Sequence, residues 1–131
     1  MRLLVDTHVL IGLSTGTLQQ RYPAIASGLK LERRVHDVSA SVVSLWEIAI
    51  KTRLGKLDPG ISLPKLAAFF EAAGLSILPI DRAHVVVDAL PEPATRDPFD
   101  RLLLAQCRVE GRLLVTADGA MVGHPLVATG L

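Results

Sequence analysis

Four acidic residues stand where a carboxylate is hard to explain by solubility alone. Asp6 directly follows the apolar run Leu3-Leu4-Val5, and Glu47 sits inside Ser44-Leu45-Trp46-Glu47-Ile48-Ala49. Asp100 belongs to Arg96-Asp97-Pro98-Phe99-Asp100-Arg101, and Asp118 lies two residues past Thr116. If these groups meet, they repel. Two unit charges about 4 Å apart cost about 1 kcal/mol in bulk water and about 4 kcal/mol at an effective dielectric near 20. No set of four Lys or Arg accompanies them in the sequence. The matching partner is a hard divalent cation with oxygen ligands, Mg²⁺ or Mn²⁺. Such an ion activates water and neutralises a phosphoryl oxygen, so the chemistry indicated is phosphodiester hydrolysis.

The elements that must bring these acids together alternate between β and α. Leu3-Leu4-Val5 reads as a strand buried on both faces. Further strands are predicted at Val38–Ser41, Leu75–Ile80 and Arg112–Thr116, with a short fifth at Leu126–Ala128. Helices are predicted over Leu18–Val35, Ser44–Lys56, Lys65–Ala73 and Asp81–Leu90. A last helix opens at Asp97-Pro98, an N-cap followed by proline at the first helical position, and stops at Gly111. Strands alternating with helices imply right-handed crossovers and a parallel sheet covered on both faces. Ligands then bind beyond the carboxyl ends of the strands. Asp6 and Asp118 fall at that edge, and helix starts bring Glu47 and Asp100 to it.

Composition limits the alternatives. The chain has 131 residues, half of them hydrophobic, and 4% aromatic, so one domain spanning 1–131 with an aliphatic core is expected. A net charge of +1 means that any polyanion site is local. The lone Cys107 excludes an internal disulfide and a cysteine zinc site. No stretch approaches the ~18 apolar residues of a membrane span, and the expected location is the cytoplasm.

The same residues carry a resemblance. Leu3-Leu4-Val5-Asp6-Thr7-His8-Val9-Leu10, Ser44–Lys51, Arg53-Leu54-Gly55-Lys56-Leu57, Arg96–Leu103 and Leu114-Val115-Thr116-Ala117-Asp118 occur in the order found in PIN-domain ribonucleases. The chain looks most like the VapC-type toxins of bacterial toxin–antitoxin pairs. The resemblance implies a three-layer α/β/α sandwich with a mainly parallel sheet of four to five strands. It implies that Asp6, Glu47, Asp100 and Asp118 bind Mg²⁺ or Mn²⁺ and catalyse, with Thr116 and Asp97 in support. It further implies RNA cleaved to a 5′-phosphate and a 3′-hydroxyl, a VapB-like antitoxin, and a homodimer.

Plainer roles compete for several of these residues. Asp97 is an N-cap, Ser44-x-x-Glu47 has the spacing of a capping box, and Asp118 suits a turn before Gly119. His8 is expected to pack or to lie at the edge, and His36, His84 and His124 to lie on the surface. Trp46 is expected to pack locally or to meet a partner. Lys51, Arg53 and Arg96 are the candidate RNA-backbone contacts. Two other functions fit gathered acids. A receiver-type phosphoacceptor would need adjacent acids after the first strand and a late lysine, which Leu113–Asp118 lacks. A haloacid-dehalogenase phosphatase would need an acid where His8 stands, and an inactive PIN-like interaction protein would not need all four acids.

Overall fold

The computed structural model describes residues 1–131. Four strands form one sheet: β1 (Arg2–Val5), β2 (Asp37–Ser41), β3 (Ser76–Leu78) and β4 (Leu113–Val115). Their order is β3-β2-β1-β4, and every pairing is parallel. Seven α-helices accompany the sheet: α1 (Thr7–Ser14), α2 (Leu18–Arg21), α3 (Pro23–Leu29), α4 (Val42–Arg53), α5 (Leu66–Ala72), α6 (Arg82–Val86) and α7 (Pro98–Glu110). The result is the expected three-layer sandwich.

Period-two alternation divides the core. Leu3 and Val5 of β1 and Val38 and Ala40 of β2 join Val9, Leu10, Ile48, Leu66 and Phe70 on one face. Leu4 and Leu114 point the other way, onto Leu103, Leu104 and Cys107 of α7. Cys107 is fully buried, and desolvation pushes its thiol up to about 12. No helix is long and apolar enough to cross a membrane.

Several expectations are corrected. The predicted fifth strand at Leu126–Ala128 is an isolated bridge, Val127 beside Leu114. The helix predicted over Leu18–Val35 is broken twice. Pro23 restarts it after Tyr22, whose φ −137° and ψ 67° leave the helical region, and Lys30 ends α3 in the left-handed region at φ 48°. Helix α1 escaped prediction altogether. It buries Thr7, Val9, Leu10, Ile11, Gly12 and Ser14 around its circumference, so no amphipathic stripe marks it. Helix α4 begins at Val42, capped by Ser41 rather than Ser44. Asp81 caps a helix as expected, but α6 stops at Val86 instead of reaching Leu90.

Three histidines expected on the surface are not free there. His84 is 1% exposed, and His36 and His124 are half-buried with their ring nitrogens hydrogen-bonded.

Candidate active site

Parallel pairing places the carboxyl ends of all four strands on one edge, and the acids are hung from that edge. Asp6 ends β1, with its backbone N–H donating to Val115 O at 3.0 Å, and it caps α1. Its Oδ1 accepts the Val9 N–H at 3.0 Å, and its Oδ2 accepts the Thr116 hydroxyl at 2.5 Å. The side chain is 2% exposed, and burial holds its pKa above the ordinary carboxylate value against those hydrogen bonds. Asp6 therefore does carry a structural role, which the sequence reading did not assign to it.

Thr116 joins two acids. While donating to Asp6, its Oγ1 accepts the Asp118 N–H at 3.0 Å. Asp118 in turn spends Oδ1 on the Ala120 N–H at 2.9 Å, the turn geometry expected before Gly119.

Glu47 comes from the second turn of α4, because the cap lies at Ser41. Ser44 instead faces Thr7, whose Oγ1 is 3.0 Å from Ser44 Oγ and 2.6 Å from Glu47 Oε1. Glu47 is 3% exposed, and its Oε2 accepts from Lys51 Nζ at 2.6 Å.

Asp100 opens α7, which runs antiparallel to β4 and so begins at the same edge. Asp97 is the cap, its Oδ1 accepting the N–H groups of Phe99 at 2.8 Å and Asp100 at 3.4 Å. Thr95 donates to Asp100 Oδ2 at 3.2 Å. Burial pushes Asp100 up to about 6, helped by the charges of Asp97, Asp118 and Glu47. Asp6 likewise feels Asp118.

The donor set is hard oxygen, and the only cation bonded to any of the four acids is Lys51. Such a set fits a divalent ion of the Mg²⁺ or Mn²⁺ class. The acids do not close tightly on one another. The only three metal-ligating side chains with donor atoms all within 4.8 Å are elsewhere: Asp81, His84 and Glu110. That second cluster is already committed. His84 Nδ1 accepts the Asp81 N–H at 3.0 Å, so its Nε2 carries the proton and donates to Glu110 at 3.2 Å. With neither ring nitrogen free, a metal there would have to break the capping box of α6.

A cleft of about 170 Å³ opens on the acid edge, lined by Asp6, His8, Val9, Tyr22, Ala117 and Asp118. Exposed His8 takes the edge-lying place that was one of its two expected roles, while sequence reasoning missed Tyr22. It also missed Thr7 and Thr95, which fix acids from neighbouring positions. Of the candidate RNA contacts, Arg53 and Arg96 are exposed and make no ion pair, whereas Lys51 lies within the site. Arg101 is tied to Glu92 and to Thr95 O. Trp46 packs edge-on against Phe99, centroids 5.6 Å apart, and remains 57% exposed.

Residues 3–122 match the family model described as PIN domain. No curated protein matches the chain.

Proposed function

The chain belongs to the PIN-domain family, and from that membership we propose a metal-dependent ribonuclease, the toxin of a VapC-type toxin–antitoxin pair acting in the cytoplasm. Asp6, Glu47, Asp100 and Asp118 hold one or two Mg²⁺ or Mn²⁺ ions. A bound ion supplies a water of lowered pKa and a counter-charge for the scissile phosphate. The chain's own residues fix the geometry. Thr116 and the Val9 N–H orient Asp6, Thr7 holds Glu47, and Thr95 holds Asp100. Asp97 supports the site by starting α7 rather than by ligation.

Arg53 and Arg96, exposed and unpaired, suit RNA phosphates. The cleft beside Asp6 and Asp118 suits a nucleoside next to the cleaved phosphate, with Tyr22 as its aromatic wall. Exposed Trp46 and Leu54 on α4 and its end suit a protein partner, whether a VapB-like antitoxin or a second copy of the chain.

The observation that carries this reading is a PIN-domain match over residues 3–122 whose sheet edge bears four carboxylates with Lys51 as their one bonded cation. The test is cleavage of single-stranded RNA with Mn²⁺ or Mg²⁺. Activity that is abolished by EDTA and by Asp6→Asn supports it. Wild-type protein that neither cuts RNA nor gains thermal stability from millimolar Mn²⁺ would instead be the inactive interaction protein.

A further inference from the structure

Glu47 differs from the other three acids. Asp6, Asp100 and Asp118 accept only from hydroxyl and backbone N–H groups, whereas Glu47 alone is bonded to a cation. The pair is asymmetric in burial. The Glu47 side chain is 4% exposed and that of Lys51 is 37% exposed, so the ammonium reaches inward from solvent over one turn of α4. Thr7 occupies the other carboxylate oxygen, at 2.6 Å. Nothing else on the protein neutralises Glu47, and a bare buried carboxylate is strongly unfavourable.

A divalent ion on Oε2 and this ammonium compete for the same atom. A metal on Oε2 at about 2.1 Å would stand beside an ammonium that is now 2.6 Å from the same atom. Lysine is suited to leave, because its charge is compact and its four-carbon stem is flexible. Its side chain is 37% exposed, so an ammonium released from Glu47 stays on the solvent side of that carboxylate.

We propose that Lys51 is an exchangeable internal cation. It neutralises Glu47 while the metal is absent, yields Oε2 when the metal binds, and then carries its charge to an RNA phosphate. Metal loading and substrate capture are thereby coupled through one side chain. The inference rests on the metal-nuclease reading and assigns its site a regulation which that reading does not contain. Linkage requires that the coupling be reciprocal.

The test compares the full chain with Lys51→Met, which keeps the apolar stem, and with Lys51→Arg, which keeps the charge. Mn²⁺ affinity is measured by electron paramagnetic resonance of the free ion. Loss of a competing pair of about 1 kcal/mol gives about fivefold tighter Mn²⁺ binding in Lys51→Met, with Lys51→Arg close to wild type. The second measurement is binding of a mixed-sequence phosphorothioate RNA with and without Mn²⁺. The gain in RNA affinity on adding Mn²⁺ shrinks in Lys51→Met if the coupling is real. Unchanged or weaker Mn²⁺ binding in a folded Lys51→Met overturns the proposal while leaving the nuclease reading intact. Absence of Mn²⁺ binding in the wild type overturns both.

Discussion

Replacing Asp100 by asparagine separates the electrostatic reading of the site from a structural one. In the folded chain this carboxyl is pushed from an ordinary 3.8 up to about 6, with burial as the largest cause and the charges of Asp97, Asp118 and Glu47 adding to it. Below the ordinary value both folded and unfolded states are protonated. Between about pH 4 and pH 6 the folded state holds the proton and the unfolded state releases it, so stability falls as pH rises through that window. At about 1.4 kcal/mol per pH unit the full effect at neutral pH is ~3 kcal/mol. Partial exposure of the side chain and the favourable helix-dipole position reduce it to about 1–2 kcal/mol. For a domain of this size each kcal/mol moves the melting temperature by roughly 3–5 °C. In EDTA near neutral pH, Asp100→Asn is therefore expected to melt about 3–10 °C above the wild type. The advantage should fade as the pH is lowered towards about 4, where the wild-type carboxyl is protonated in both states. Mn²⁺ should raise the wild-type melting temperature and move the variant much less. Scanning calorimetry at the two pH values, with and without Mn²⁺, reads all of this. An Asp100→Asn variant that is less stable than wild type in EDTA at neutral pH refutes the reasoning. Asp100 would then serve chiefly as the acceptor of the Thr95 hydroxyl and as a helix-start acid.

Two other substitutions probe the frame and the cleft. Arg112 is 8% exposed and donates to Leu3 O at 3.2 Å, Asp37 O at 3.3 Å and Asp37 Oδ1 at 3.2 Å. Arg112→Met removes the donor from buried Leu3 O and from Asp37 at the start of β2, whose carboxylate keeps Arg2, and should cost about 1–3 kcal/mol in urea denaturation; a loss under ~0.5 kcal/mol contradicts it. Arg112 also holds the Asp37 carboxyl below its ordinary value, so this contribution should vanish from the wild type as acid protonates Asp37. At the cleft, Tyr22→Ala should weaken binding of a short single-stranded RNA by about tenfold, the scale of one lost base stack. Mn²⁺ affinity should not change, and Tyr22→Trp should restore RNA binding. Equal RNA affinity in Tyr22→Ala removes the ring from the substrate path.

The parts of the fold that were legible in sequence are those with chemical signals at both ends. Helix α7 carries Asp97-Pro98 at its start and Gly111 in the left-handed region, φ 65°, at its end, and it forms where expected. Helix α4 shows how a valid motif misleads. Ser44-x-x-Glu47 has capping-box spacing, but the cap is Ser41, three residues earlier, whose Oγ accepts the Val43 N–H at 3.0 Å. His84 was misplaced for a similar reason. Its signal is Asp81 three residues before it, a reciprocal cap in which the histidine side chain takes the place usually held by Glu. Burial follows from that bond and from Gln106 against the same ring nitrogen, at 3.3 Å, neither of which a search for metal-ligand spacing would find.

That Asp6, Glu47, Asp100 and Asp118 belong to elements reaching one sheet edge was legible for a more general reason: it depends only on the order and direction of elements, which the alternation of strands and helices sets. The hydroxyls of Thr7 and Thr95 depend on rotamers, and Tyr22 on the path of the broken α2–α3 segment, so sequence spacing is silent about them. Weighing capping against chemistry as rivals also misjudged Asp6. One of its oxygens starts α1 through Val9, and the other is held by Thr116 within the acid set. The bond to Val9 therefore fixes the orientation of the oxygen proposed as a ligand. Asp6→Ala removes both and would confound a lost helix start with a lost ligand. Asp6→Asn keeps an acceptor for Val9 while removing the charge, so it is the substitution that addresses the chemistry. A loss of metal binding in Asp6→Asn with α1 intact is the pattern that two separate jobs for two oxygens require.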